Sequence, residues 1–474
     1  MLPLLLNFSL AQVLPLPTPT PTQIASPGQE LVVQAQEVRA LPGRLDKVPM
    51  FNSNSPEVIQ TEGILLSTFP PSGKAVPRAH LNLPMVGSFN LFAHHTARAN
   101  KPGDWRPLYQ GVIVYNPGSQ PVTLEILQGV SYVTNPDAPF VELPPQIDNP
   151  SGEVYAGPGS RVMNDVLRGV HHPDFPSQLV IPPRQSQMLL NLPILLGNTR
   201  TTFMRLRSDK AVYMASLAMY APLNPSELEY DPEDPFSLLS PSPLPYREPK
   251  VEEWQKLLNT ANLAGPRDRP PTLPTRTDVG VIYGRVAGVA QGSEWRTEVL
   301  DTPSAGALSI PERGKAFSYP ISTINRVTLG TNQVQSAPML VRYPDTAYQA
   351  HGNYGVRYSL SLPLVNNTKE RQTITVAIQT PIKQEDLVTG LRFLKPPDSR
   401  VFFRGTVQVS YNDEKNRPKT RYVHLAQRRG QEGEPLVMLE MQPRDRRLVK
   451  VDFLYPPDSL PPQVLTIKTL ERSP

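Results

Sequence analysis

The chain has 474 residues, 47 of them basic and 42 acidic, a net charge of +5 and no cysteine. That length allows two or three domains with real cores, and the missing thiols exclude disulfides, Cys-ligated zinc, thiol catalysis and lipoprotein-type acylation. Its 57 prolines are more than twice ordinary usage, whereas 28 glycines and 39% hydrophobic residues exclude collagen-like and wholly disordered chains and leave an all-β fold with long ordered loops.

Residues 1–11 read as a signal peptide. Leu2–Leu10 is an apolar run, and Ser9-Leu10-Ala11 resembles an A-x-A cleavage site before Gln12. The run is short and has no Lys or Arg ahead of it, so a basic n-region is expected upstream. Residues 12–30 form a Pro/Thr-rich spacer of polyproline type.

A first β-sandwich domain is expected over 31–221, with strands at Val112–Tyr115, Val122–Leu127, Met188–Leu192 and Val212–Tyr220. Within it, His94-His95 and His171-His172 raise a metal hypothesis. Neighbours on a strand point to opposite faces, however, and no spacing such as H-E-x-x-H marks further ligands. No metal site and no cofactor are expected. Ala156–Gly169 holds Ser160, Arg161 and Asp165 without a G-x-S-x-G elbow. It reads as a tight turn at Gly157–Gly159 followed by a short helix.

Residues 222–277 form a Pro-rich linker, acidic at Glu227–Asp234. One helix is expected over 250–264, where Val251, Trp254, Leu257, Leu258 and Ala261 recur at helical spacing behind Pro249. Trp254 should pin this helix onto a neighbouring domain.

A second β-sandwich is expected over 278–470. Gly280, Gly284, Gly288 and Gly292 recur every fourth residue, beside Arg285. The run is too short to span a bilayer and matches no nucleotide loop, so kinks and bulges in a curved strand account for it. Arg342–Tyr358 is the densest aromatic loop, with Tyr343, Tyr348, His351, Tyr354 and Tyr358. Its rings either offer a platform for sugars or cover the open end of the sandwich. Val407, Val409 and Tyr411 open a hairpin that returns through Val423 and Leu425. Between Arg392 and Lys450, fourteen basic residues face seven acidic ones, Arg428 and Arg429 among them. This reads as a solvated sheet face or as contact with an anionic polymer or lipid headgroup, and no nucleic-acid module accompanies it.

Two stretches share a design. Gly111–Ile126 and Tyr358–Ile378 each run through an alternating strand, an Asn-led turn and a second alternating strand. In the second copy Tyr358, Leu360 and Leu362 face one way, and Ser359 and Ser361 the other. Ile181–Ile194 and Met441–Tyr455 both place Pro, a basic residue and a polar pair before a strand. Two similar elements in one order predict duplication: two tandem immunoglobulin-like, antiparallel β-sandwich domains joined by the Pro-rich linker.

Six long strings stand out: Phe51–Phe69, Val154–Gly169, Leu263–Asp268, Ile282–Trp295, Ala337–Asn367 and Arg421–Pro435. Together they resemble a family of secreted, cyanobacterial-type proteins defined only as a domain of unknown function. The resemblance implies an exported envelope protein and brings no catalytic residues with it. The function expected is therefore non-catalytic: an envelope protein, periplasmic, wall-bound or extracellular, binding or organising polysaccharide, peptidoglycan or a surface protein. Tyr343, Tyr348, His351, Tyr354, Arg428 and Arg429 are the candidate ligand-binding residues, with neither a nucleic-acid partner nor a transmembrane span. The alternatives are an envelope glycan hydrolase with a loop-borne carboxylate pair and a two-domain periplasmic assembly chaperone that donates a strand.

Overall fold

The computed structural model describes residues 25–224, 246–276, 278–386 and 390–471. The leader, most of the Pro/Thr spacer and the acidic stretch Glu227–Asp234 lie outside the described residues. The rest is mostly β, in sheets of 12, 7, 5 and 2 strands. Among the described residues there are two α-helices, α1 (Pro158–Leu167) and α2 (Val251–Thr260), and no helix is long and apolar enough to cross a membrane.

The twelve-stranded sheet turns on one strand, Thr199–Tyr220. Its first part, Thr199–Ser208, pairs with Met85–Ala97 and Val122–Val133. Its second part pairs with Leu108–Tyr115 and, over Ala215–Ala218, with Gly63–Ser67. The register breaks between Ser208 and Val212, where the Ser208 hydroxyl donates to the Lys210 carbonyl at 2.6 Å and Asp209 accepts the Thr123 N–H at 2.8 Å. Polar side chains that bond the backbone locally offer an alternative to the ladder, and here they divert the strand from one set of partners to another.

The strand orders repeat. Gln178–Ile181, Val122–Val133, Thr199–Tyr220 and Met85–Ala97 lie side by side in that order. Val437–Met441, Gln372–Gln379, Gln463–Thr469 and Ala316–Ile321 lie in the matching order in the five-stranded sheet. Likewise Ser186–Ile194 pairs with Leu108–Tyr115 as Arg446–Leu454 pairs with Arg357–Val365. Strands distant in the chain also share sheets. Gln146–Asp148 joins Pro418–Arg428 in the seven-stranded sheet, and Ala287–Gln291 lies between Pro49–Ser53 and Ala337–Arg342 in the twelve-stranded one. Glu30–Gln34 pairs with Leu391–Lys395. Val162, Met163 and Val166 of α1 are buried in the same core cluster as Phe453, Leu454 and Tyr455.

At the Asn-led turns the repeat extends to individual hydrogen bonds. The buried Asn116 amide donates to the carbonyls of Gln120 (2.8 Å), Ile181 (2.9 Å) and Pro182 (3.2 Å), and its oxygen accepts the Gly118 N–H. The buried Asn366 amide donates to Glu370 (2.8 Å), Met441 (2.9 Å) and Gln442 (3.1 Å), and its oxygen accepts the Thr368 N–H. Each asparagine thus ties its hairpin to the Pro-containing turn that leads into the next-to-last strand of the repeat, Ser186–Ile194 or Arg446–Leu454. In those turns Arg184 (φ 59°) and Arg444 (φ 65°) share the left-handed conformation. Only an Asn amide offers an acceptor and two donors at this reach. Asn366→Ala strands buried carbonyls, so it should lower stability by about 3 kcal/mol, and Asn116→Ala by a similar amount. Urea denaturation at neutral pH checks this; losses under about 0.5 kcal/mol would show the clamps to be ornamental.

The expected alternation holds in Arg357–Val365, where Tyr358, Leu360, Leu362 and Leu364 are fully buried. Gln372–Gln379 differs from the half-buried expectation: Thr373, Thr375 and Ala377 are buried as well as Ile374, Val376 and Ile378. The glycine run is only partly a strand, since Ala287–Gln291 begins well after Gly280. A Cβ on Gly288 would meet the Val341 carbonyl at 2.2 Å, so glycine lets this strand approach its neighbour, and the register shifts there between Val289 and Ala290.

Candidate functional site

The aromatic loop is turned inward. Tyr343 is fully buried; its hydroxyl donates to the Ala79 carbonyl at 2.8 Å and accepts the Ser67 N–H at 3.0 Å. Burial pushes its pKa up. Tyr354 donates to the Ser459 carbonyl at 2.8 Å and stacks on Tyr455 with centroids 6.3 Å apart. Tyr348 carries the Arg342 guanidinium 3.9 Å above its ring. His351 packs 4.8 Å from the Tyr283 ring, and burial pushes its pKa down to about 4. These rings brace the chain internally and do not form one exposed platform. Arg428 and Arg429 also diverge: Arg428 pairs with Glu142 at 3.0 Å, and Arg429 with Asp398 at 3.2 Å, a carboxylate shared with Arg400.

The paired histidines are hydrogen-bonded inside the first half. His95 Nδ1 lies 2.8 Å from the Pro56 carbonyl and Nε2 lies 2.9 Å from the Ser53 hydroxyl. The carbonyl can only accept, so Nδ1 carries the proton and Nε2 accepts from Ser53. Burial pushes His95 down to about 3. His94 Nδ1 bonds Thr201 Oγ1 at 2.8 Å, and its Nε2 lies 3.7 Å from Asp458. His171 Nε2 bonds the Phe175 carbonyl, and His172 faces Asp174 at 3.2 Å. Among the described residues, no group of three or more His, Cys, Asp or Glu could hold a metal ion.

Several of the strings singled out in the sequence meet in one ion-pair network. Arg285 pairs with Glu57 and, at 3.1 Å, with Asp268, whose other oxygen accepts the Ser55 hydroxyl at 2.7 Å. Arg267 holds Asp345 through two bonds of 2.8 and 3.1 Å, which keeps that carboxyl below its usual range against the opposing effect of burial. Every charge in this partly buried network has a partner, as charges leaving water require. It fastens segments distant in the chain.

An open site lies on the outward face of the seven-stranded sheet. The parallel pairing of Glu294–Glu298 with Arg357–Val365, and the antiparallel pairing of the latter with Arg446–Leu454, set the register. Arg296 and Glu298, Ser359 and Ser361, and Lys450 and Asp452 thereby line a groove of about 570 Å³, together with Arg357 and Thr297. Period two does the sorting: Tyr358 and Leu360 point into the core while Ser359 and Ser361 point out. Arg357 pairs with Asp452 at 2.7 Å, and Arg296 with Glu294 at 2.7 Å. Lys450 and Glu298, on either side of Ser361, have no ion pair among the described residues. Chemically this is a hydrogen-bonding surface with fixed charges of both signs. Sequence reasoning saw the outward serines but not their neighbours, because the parallel partner strand has no local signal.

Comparison with curated proteins finds no match. Among solved structures, an 11S globulin from Wrightia tinctoria is 11% identical, with 86% of this chain and 83% of that one covered and a TM-score of 0.10. An 11S allergen from Cocos nucifera is 10% identical over 82% and 81%, with a TM-score of 0.09. Recombinant pumpkin pro-11S globulin is 10% identical over 87% and 85%, with a TM-score of 0.10. Likeness at such TM-scores carries no argument. A family model, in contrast, matches residues 36–469, which takes in the aromatic loop, the ion-pair network and the groove alike. The chain belongs to the DUF3370 family, described as protein of unknown function.

Proposed function

We propose that the protein is a non-catalytic, exported component of a cyanobacterial-type cell envelope, and that it binds an envelope polymer along the outward face of the seven-stranded sheet. The groove carries this reading. Hydroxyls, guanidinium groups and carboxylates stand in two rows across adjacent strands, open along their length. Such a surface suits a chain-like ligand rich in hydroxyls and charges, which exchanges its water for these groups with little ordering of the protein. The domain plan belongs to the same reading: two immunoglobulin-like sandwiches in tandem, 31–221 and 278–470, joined by the Pro-rich stretch 222–277. The matching strand orders and the twin asparagine clamps support it, with short strands exchanged across the junction.

Co-sedimentation with isolated wall and capsule material tests the function. The wild-type chain should pellet with one fraction, and Arg296→Glu with Lys450→Glu should weaken that binding at least about tenfold, more at low salt than at high. Failure to bind any wall or capsule fraction would overturn the proposal. Release of shortened sugars from the pellet would move the reading to a glycan hydrolase.

A further inference from the structure

A second surface lies at the opposite end of the fold's chemistry, apolar rather than polar. Trp105 is 78% exposed, while the other two tryptophans, Trp254 and Trp295, are buried. The turn that carries it is braced. Asp104 accepts two bonds from the Arg106 guanidinium (3.0 and 2.9 Å) and one from its N–H, and Arg106 lies 5.1 Å above the Tyr220 ring. The indole is therefore held outward by neighbours whose own polar groups are satisfied.

Register gives it company. Pro107 accepts the Ala221 N–H at 2.9 Å, and Leu108 pairs with both Tyr220 and Ile194. Leu195 and Leu223, 50% and 51% exposed, thus leave the same end of three adjacent strands as Trp105. The connection that bears Trp105 also carries Arg98 and Lys101, both exposed and without an ion pair among the described residues. Its one carboxylate, Asp104, is taken by Arg106, and nearby Glu62 accepts the Tyr220 N–H.

We infer that this end of the molecule docks on a lipid bilayer bearing anionic headgroups, with Trp105, Leu195 and Leu223 entering the interface and Arg98 and Lys101 meeting the headgroup charge. An amphipathic indole beside leucines and exposed cations matches a surface that is apolar below and negative above. A neutral soluble ligand would leave the two cations without a counterpart. The inference does not depend on the groove, which lies on a different sheet.

Tryptophan emission of the intact chain reads this directly, since only Trp105 is open to water. On adding phosphatidylglycerol vesicles, the emission should shift to the blue, iodide quenching should fall, and the protein should float with the vesicles. Phosphatidylcholine vesicles should produce no such change. Trp105→Ser should remove the shift, and Lys101→Glu with Arg98→Glu should weaken partitioning about tenfold at low salt. Unchanged urea midpoints would show that these surface variants fold. No shift with anionic vesicles, an equal shift with neutral ones, or a shift that follows protein concentration without lipid would overturn the inference, the last by pointing to a second copy of this chain.

Discussion

Lowering the pH from about 7 to about 5 should strip the folded chain of roughly 8 kcal/mol, most of an ordinary domain's stability. Four histidines are responsible. Burial holds His95 at about 3, and His80, His351 and His424 at about 4. All four folded values lie below the unfolded value of ~6.5, so the unfolded chain takes up protons first. Their contribution is complete above about pH 6.5 and is lost as pH falls toward about 4, at about 1.4 kcal/mol per histidine per unit. Geometry agrees: His80 Nδ1 bonds the Ser67 hydroxyl, His424 Nδ1 bonds Thr406 Oγ1, and neither Nε2 has an acceptor for an added proton among the described residues. Urea midpoints measured between about pH 7 and about pH 5 should fall steeply, and His424→Gln should flatten the slope by about a quarter. A flat profile would show that these rings gain protons freely in the folded state.

Trp254→Ala should cost roughly 3–5 kcal/mol, the largest loss expected of one substitution here. The ring is fully buried among Ile64, Phe69, Ile113, Leu217 and Leu258, and its Nε1–H donates to Asn191 at 3.2 Å. A Cβ on Gly111 would stand 2.7 Å from the ring, so Gly111→Ala should push the same contact apart and cost about 1–3 kcal/mol. α2 is fixed at its start by Glu253, which accepts the Lys250 N–H at 2.8 Å and pairs with Arg247. It should therefore persist as a helix and undock from the strands beneath. Urea unfolding with near-UV circular dichroism checks both; a loss below about 1 kcal/mol would mean that the helix merely rests on the sheet.

The helix was legible because apolar spacing behind Pro249 is a local signal. It ends at Thr260, short of the expected 264, because the Ile64 N–H bonds the Asn262 carbonyl and draws the chain into an extended path. The hairpins and their asparagine turns were legible for the same local reason, and the repeat in sequence matches a repeat in hydrogen bonds. What escaped notice was non-local. Gln146–Asp148 has three residues, too few to show a period, and nothing in it announces a partner near residue 424. The tyrosines of Arg342–Tyr358 look like a platform until Tyr343 finds its acceptor at Ala79, 264 residues away. The groove was half visible: alternation turned Ser359 and Ser361 outward, but only strand pairing supplied the charges beside them.

Hydrogen–deuterium exchange on the intact chain, with and without the wall or capsule fraction that it pellets with, tests the central claim most directly. Slower exchange confined to 294–298, 357–361 and 450–452 is the predicted result. Protection elsewhere, with these three strands unchanged, would contradict the assignment of the groove as the polymer site.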